Sequence, residues 1–226
     1  LGIDPVEIHK RNAIGRGEVS IHGWQIGSTG LVECIDQATQ AIGWAGKRHA
    51  TQKTAGPRQR GVGMAAAMHV SGNRTIGNWD GSTVVVKINE DGRVFILSGE
   101  CDMGQGAMTM LSQIVAHELD MPLSHIYVVP PDTDTAPIAI GSLASRVTIA
   151  AGNAAIVAAR MARDKLFALA AQQWSVPPEA LKLEGGFVFV THAPERRKSV
   201  AELARLHIWS HGGEGIQVSG TWDAKT

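Results

Sequence analysis

Cysteine is scarce. The 226 residues hold two, Cys34 and Cys101, far apart and with no C-x-x-C spacing. That excludes a disulfide framework and a cysteine zinc site, and it fits a reducing compartment such as the cytoplasm. A charge excess of one sign is lacking too: Lys plus Arg and Asp plus Glu each number 21, for a formal net charge of zero. The basic surplus of a nucleic-acid binder is missing, so no nucleic-acid partner is expected. No apolar run reaches the roughly 20 residues that cross a bilayer, and no membrane association is expected either. The opening residues carry no basic and apolar leader pattern and no initiator Met, which reads as a segment of something longer. What is present is 44% apolar and 19% charged, an ordinary composition for one large globular domain or two small ones.

Asp4-Pro5-Val6-Glu7 supplies a capping acid, a proline at the first helical position and a Glu three residues after the cap. That predicts a helix ending before Gly15. The polar, glycine-rich stretch 15–27 reads as loop. A second helix, capped by Ser28 or Thr29, places Leu31, Ile35, Ala38 and Ile42 on one face and stops at Gly43. Residues 47–60, with Gly56-Pro57, read as an exposed connector. The expected division is a helical lead-in and connector over 1–55 and an α+β domain over 56–226.

In that second part, 62–70 reads as a buried strand. Residues 83–88 and 93–97, joined by Asn89-Glu90-Asp91-Gly92, carry a strong hairpin signal. A helix is predicted over 104–119, a short strand over 126–129, a loop over 132–141 and a long Ala-rich helix over 145–173. A smaller hairpin turns at Gly185-Gly186, and a capping box, Ser199 with Glu202, opens a last short helix. Ile216 begins a final strand. The fold class implied is α+β, a mixed β-sheet with helices packed on one face.

Several motifs have a bland reading that wins. Gly61-Val62-Gly63-Met64-Ala65-Ala66, with Asp80 downstream, matches a dinucleotide fingerprint, but the polar, proline-containing stretch before it is no buried strand. His207 and His211 are four apart, yet no acid or cysteine completes a metal site, so they read as surface histidines. His117-Glu118 lacks a second histidine, and Cys101 reads as a small buried residue.

Two segments resist that treatment. In Ser98-Gly99-Glu100-Cys101-Asp102-Met103-Gly104-Gln105-Gly106, glycines flank a side-chain amide at a helix start. Backbone can approach a ligand there, and free N–H groups are expected to face outward. In Gly141-Ser142-Leu143-Ala144-Ser145-Arg146-Val147-Thr148, hydroxyls and a guanidinium fork gather at another helix start, which favours an anion.

The run Gly99-x-x-Asp102-Met103-Gly104-Gln105-Gly106, followed by a helix and Leu123-Ser124-His125-Ile126-Tyr127-Val128, resembles the molybdenum-binding subunit of the xanthine dehydrogenase/aldehyde oxidase family. The later Asp132-Thr133-Asp134-Thr135-Ala136-Pro137 loop, the Ser/Ala turn, Gly152-Asn153-Ala154 and the opening Leu1-Gly2-Ile3-Asp4-Pro5 are similar in the same order. The flavour is closest to the 4-hydroxybenzoyl-CoA reductase and bacterial hydroxylase branch. The resemblance implies binding of molybdopterin, or molybdopterin cytosine dinucleotide, with molybdenum. Its ligands would be Gly104, Gln105, Gly106, Ser142, Ser145 and Arg146, with Ala144 as the small residue near the metal and Met64 on the substrate side. It also implies an iron–sulfur cluster and FAD on partner subunits or domains, the remainder of the molybdenum subunit as a further partner, and an oligomeric assembly.

The family's catalytic glutamate motif and its upstream metal-pocket segments are missing from these residues, so no catalytic residue is assigned and the chain alone is expected to be inactive. The substrate class implied is an aldehyde, an N-heterocycle or an aromatic acyl-CoA. Two other readings stand beside this one: a non-catalytic small subunit, and a degenerate homologue that uses the groove for protein or nucleotide binding.

Overall fold

Asp4 opens the first helix, α1 (Pro5–Asn12), by accepting the Val6 N–H at 2.8 Å, and its carboxylate also receives the Trp44 indole N–H. The computed structural model describes residues 2–49, 57–58, 60–69, 71–72 and 80–224. The chain forms two units, Leu1–His69 and Val70–Thr226, and the expected boundary at 55/56 lies outside the described residues. In the first unit, α2 (Leu31–Ile42) ends on left-handed Gly43, as its pattern requires. Its N-cap is Gly30, although the Thr29 hydroxyl does receive the Leu31 N–H at 3.4 Å. Part of the predicted connector is helical: α3 spans Trp44–His49. Residues 61–69 form neither strand nor helix, so the predicted strand at 62–70 is corrected and Val70 itself is outside the described residues. The glycine fingerprint therefore sits at no helix start.

The second unit is a mixed sheet of order β3-β2-β1-β7 with helices on it. β1 (Ser82–Ile88) and β2 (Val94–Ser98) form the predicted hairpin, with Val86 opposite Ile96. β3 (Ile126–Val128) runs parallel to β2, and β7 (Ile216–Trp222) runs antiparallel to β1. Val84, Val86, Ile88, Val94 and Ile96 are buried beneath α4 (Ala107–Glu118) and α5 (Val147–Trp174).

α5 is rich in alanine because its backbone rests on the sheet. Ala151, Ala154, Ala155, Ala158, Ala159 and Ala162 are all fully buried. A Cβ on Gly220 of β7 would lie 2.4 Å from both the Ala154 oxygen and the Ala158 nitrogen. Larger side chains at this contact would lift the helix off the strand.

A second, antiparallel sheet, β4 (Leu181–Glu184), β5 (Phe187–Val190) and β6 (Ala193–Ser199), packs with the far half of α5 and with α6 (Val200–Ser210). The predicted capping box of Ser199 and Glu202 is present. β6 was not among the predicted strands, and it carries the charged run Glu195-Arg196-Arg197-Lys198. It is an edge strand whose charges leave its outer side unattractive for further pairing.

Candidate functional site

β2 delivers the chain to Gly99 at a contact too close for a side chain. A Cβ there would lie 2.2 Å from the Pro137 carbonyl oxygen and 3.0 Å from the Ala139 Cβ. The segment 131–139 therefore lies directly on the strand end, and a cleft of ≈ 410 Å³ opens between it and Cys101.

Asp102 then organises the loop. Its Oδ1 accepts the N–H groups of Gly104 (2.9 Å) and Gly106 (3.3 Å), and its Oδ2 accepts the N–H of Met108 (3.2 Å). The donations from Gly104 and Met108 lead in holding its pKa below the ordinary carboxylate value, against the opposing effect of burial. Here the sequence reading is corrected. The N–H groups expected to await an external anion are taken by the chain's own carboxylate, and α4 starts at Ala107 rather than at Gly104.

Gln105 is exposed, and both of its N–H groups are engaged. Its Oε1 accepts the Met103 N–H at 2.6 Å, and its Nε2 donates to the Cys101 carbonyl (2.9 Å) and to the Ser142 hydroxyl (3.2 Å). Ser142 donates in turn to the same Cys101 carbonyl at 2.7 Å. The two segments singled out in the sequence, 37 positions apart at this pair, are thus joined through their most polar residues. Gly104 and Gly106 hold φ of 104° and 82°, and nothing lies within 4 Å of where their Cβ atoms would be. A flat group can therefore lie against this backbone, while the remaining lone pairs of Gln105 and Ser142 can still accept hydrogen bonds.

The turn before α5 is strained. Ala144 and Ser145 are consecutive left-handed residues, φ 48° and 54°, a conformation that costs about 1–2 kcal/mol for each residue bearing a Cβ. The Ala144 carbonyl is held by the Gly72 N–H at 2.8 Å, and the Leu143 carbonyl by the Arg146 N–H at 3.1 Å. Ala144 is buried and Ser145 is exposed.

Arg146 does not point outward as its place at a helix start suggested. It is 2% exposed. Its Nε donates to Asp80 Oδ1 (2.7 Å), and its Nη1 to Glu100 Oε1 (2.7 Å) and the Gly141 carbonyl (3.3 Å). Its Nη2 donates to Ser82 Oγ (3.1 Å) and the Gly81 carbonyl. Burial works against its charge, but the hydrogen bonds with Asp80 and Glu100 outweigh it and raise the pKa above the ordinary guanidinium value. Ser82 also donates to Glu100 Oε1 at 2.5 Å, and Glu100 Oε2 is buried without a hydrogen-bond partner among the described residues. Sequence reasoning missed Glu100 entirely, and it saw Asp80 only as the tail of a rejected fingerprint.

Met64 is half-buried in the first unit. Cys101 is exposed, not buried as expected; its backbone carbonyl, rather than its thiol, serves the loop. His207 corrects the opposite expectation: it is 6% exposed, its ring stacks on His211 at 4.2 Å, and both of its nitrogens lack a partner among the described residues. Among the described residues no group of three or more His, Cys, Asp or Glu could hold a metal ion directly. No described helix is long and apolar enough to cross a membrane.

Known proteins share this layout. The family model of the molybdopterin cofactor-binding domain matches residues 37–226. The putative xanthine dehydrogenase molybdenum-binding subunit of Escherichia coli strain K12 is 34% identical over 100% of this chain and 30% of its own length. The nicotine 6-hydroxylase large subunit of Paenarthrobacter nicotinovorans is 29% identical over 99% of this chain and 29% of its own. Among solved structures, quinoline 2-oxidoreductase from Pseudomonas putida 86 aligns with a TM-score of 0.59 at 21% identity, over 98% of this chain and 30% of that one. The chain spans about 30% of the length of the curated relatives it matches.

Proposed function

This chain belongs to the molybdopterin cofactor-binding domain family of the xanthine dehydrogenase-type proteins, and from that premise we propose that its Gly104-Gln105-Gly106 loop and its 141–145 turn cradle the cofactor of a molybdenum hydroxylase. The observation that carries the proposal is the junction of Gln105, Ser142 and the Cys101 carbonyl, which brings both segments to one place. The free acceptors there suit the N–H groups of a pterin edge: amide and hydroxyl oxygens beside open glycine backbone. When bound, the cofactor supplies the redox-active molybdenum.

This chain's part is binding and orientation. Gly104 and Gly106 let the ring system approach, Gln105 and Ser142 read its hydrogen-bonding edge, and exposed Ser145 faces the dinucleotide or phosphate tail. Ala144 keeps side-chain bulk away. The general base and the rest of the metal pocket come from other parts of the protein, and the iron–sulfur and flavin centres from partner subunits in an oligomeric assembly. The substrate class is an aldehyde, an N-heterocycle or an aromatic acyl-CoA.

The test is to purify the full-length polypeptide from cells that make the cofactor, then measure its molybdenum and its oxidised-pterin fluorescence. Near-stoichiometric cofactor is expected in the parent. Gln105→Ala and Ser142→Ala should each bind it about tenfold more weakly, from the loss of one hydrogen bond of about 1.5 kcal/mol. A parent without pterin, or variants that retain it fully, would overturn the assignment.

A further inference from the structure

The buried guanidinium joins three stretches of chain that are remote in sequence. Asp80, Gly81 and Ser82 bring the chain into β1; Glu100 sits just before the Gly104-Gln105-Gly106 loop; Gly141 begins the strained turn; and Arg146 itself is the N-cap of α5. Arg146 and Glu100 have side chains 1% and 0% exposed, so this contact is inside the protein rather than on the binding surface. On the surface above it, the same two segments meet again through Gln105 and Ser142. The cradle is therefore tied twice, by a charged bond below and a neutral bond above.

We infer that Arg146, held by Asp80 and Glu100, is a positioning residue: it sets the spacing between the Gly104-Gln105-Gly106 loop and the 141–145 turn, and does not itself contact the cofactor. This rests on the cradle reading above. The planar fork suits the task because it delivers donors in several fixed directions at once, which a lysine ammonium on a flexible stem does not. Glu100 cannot be replaced by a water-exposed acid in this role, because the contact derives its stiffness from burial. A left-handed Ala144-Ser145 pair would otherwise relax toward ordinary backbone and carry Ser142 away from Gln105.

The experiment uses the full-length polypeptide, with and without cofactor. In the cofactor-free protein, amide exchange is measured for Arg146→Lys over 103–106 and 142–145, with the β1–β2 hairpin and the middle of α5 as internal reference. The expected result is exchange at least tenfold faster in the two cradle segments and unchanged in the reference. In the loaded protein, the circular dichroism of the bound pterin should shift while molybdenum is still retained. Inorganic pyrophosphate is the second probe, and in the cofactor-free protein Arg146→Lys should weaken its binding only together with the faster exchange in the cradle.

Unchanged exchange in the cradle, or uniform acceleration that includes β1 and α5, overturns the inference. So does selective loss of pyrophosphate affinity with a quiet cradle, which would make Arg146 an anion ligand. If Arg146→Lys does not fold, Asp80→Asn removes one carboxylate and leaves the Arg146–Glu100 pair; it should reproduce the local effect in weaker form, and its absence counts against the inference. A parent that never binds pterin defeats the cradle reading alone, because the exchange measurement needs no cofactor.

Discussion

Substituting Gly99 by Ala tests the close approach at the mouth of the site. The new Cβ would lie 2.2 Å from the Pro137 carbonyl oxygen, where ordinary contact begins at 3.4 Å. The obstacle is backbone, so no side-chain rotation relieves it, and the 136–139 segment must retreat by about 1 Å. Overpacking of this kind costs about 1–3 kcal/mol. For a chain of this length each kcal/mol lowers the melting temperature by about 2–4 °C, so the expected drop is about 2–12 °C. Gly104→Ala is the control: its Cβ meets nothing within 4 Å, so only the backbone at φ 104° resists it. Thermal unfolding followed by circular dichroism, with amide exchange at 136–139, separates the two. Gly99→Ala should accelerate exchange in that segment and Gly104→Ala should not. A melting temperature within about 1 °C of the parent, with exchange at 136–139 unaltered, would refute the steric argument.

Gly220→Ala presses on the α5 backbone at two points 2.4 Å away and should cost about 3 kcal/mol or more, read as a lower urea midpoint at unchanged slope. Asp102→Asn removes a carboxylate whose pKa is depressed in the fold; a depressed acid stabilises above its unfolded pKa and loses that contribution as pH falls. The parent should therefore weaken on acidification to about pH 3 more than Asp102→Asn does, with faster exchange at Gly104 and Gly106 in the variant at neutral pH. For His207, burial and then the neighbouring charges of His211 and Lys165 lower the pKa, with Glu214 opposing. Its neutral form is the folded one, so stability is complete above about pH 6.5 and falls below it. His207→Leu should flatten that fall between pH 7 and pH 5 in melting experiments; an unchanged slope would assign it to other groups.

What could be read from the residues alone was short-range. The hairpin of β1 and β2 is written in alternating β-branched residues around a turn, and α6 in a capping box whose two halves lie three positions apart. Asp4 before Pro5 specifies α1 in the same way. The motif order was enough to name the family and to single out the two segments that the structure joins at Gln105 and Ser142. The tertiary structure decided where side chains point. Arg146 at a helix start looks like an anion ligand until Asp80 and Glu100, 66 and 46 positions away, turn it inward. Asp102 looks like an ordinary loop acid until three N–H groups converge on it and delay α4 to Ala107. Nothing local marks Gly99 and Gly220 as close-contact sites; a distant backbone lies on each. Propensity and capping act over a few residues and are legible one window at a time. A buried charge takes its direction from whichever partner the fold brings within hydrogen-bonding distance, because an unpaired charge inside the protein costs far more than any local preference supplies.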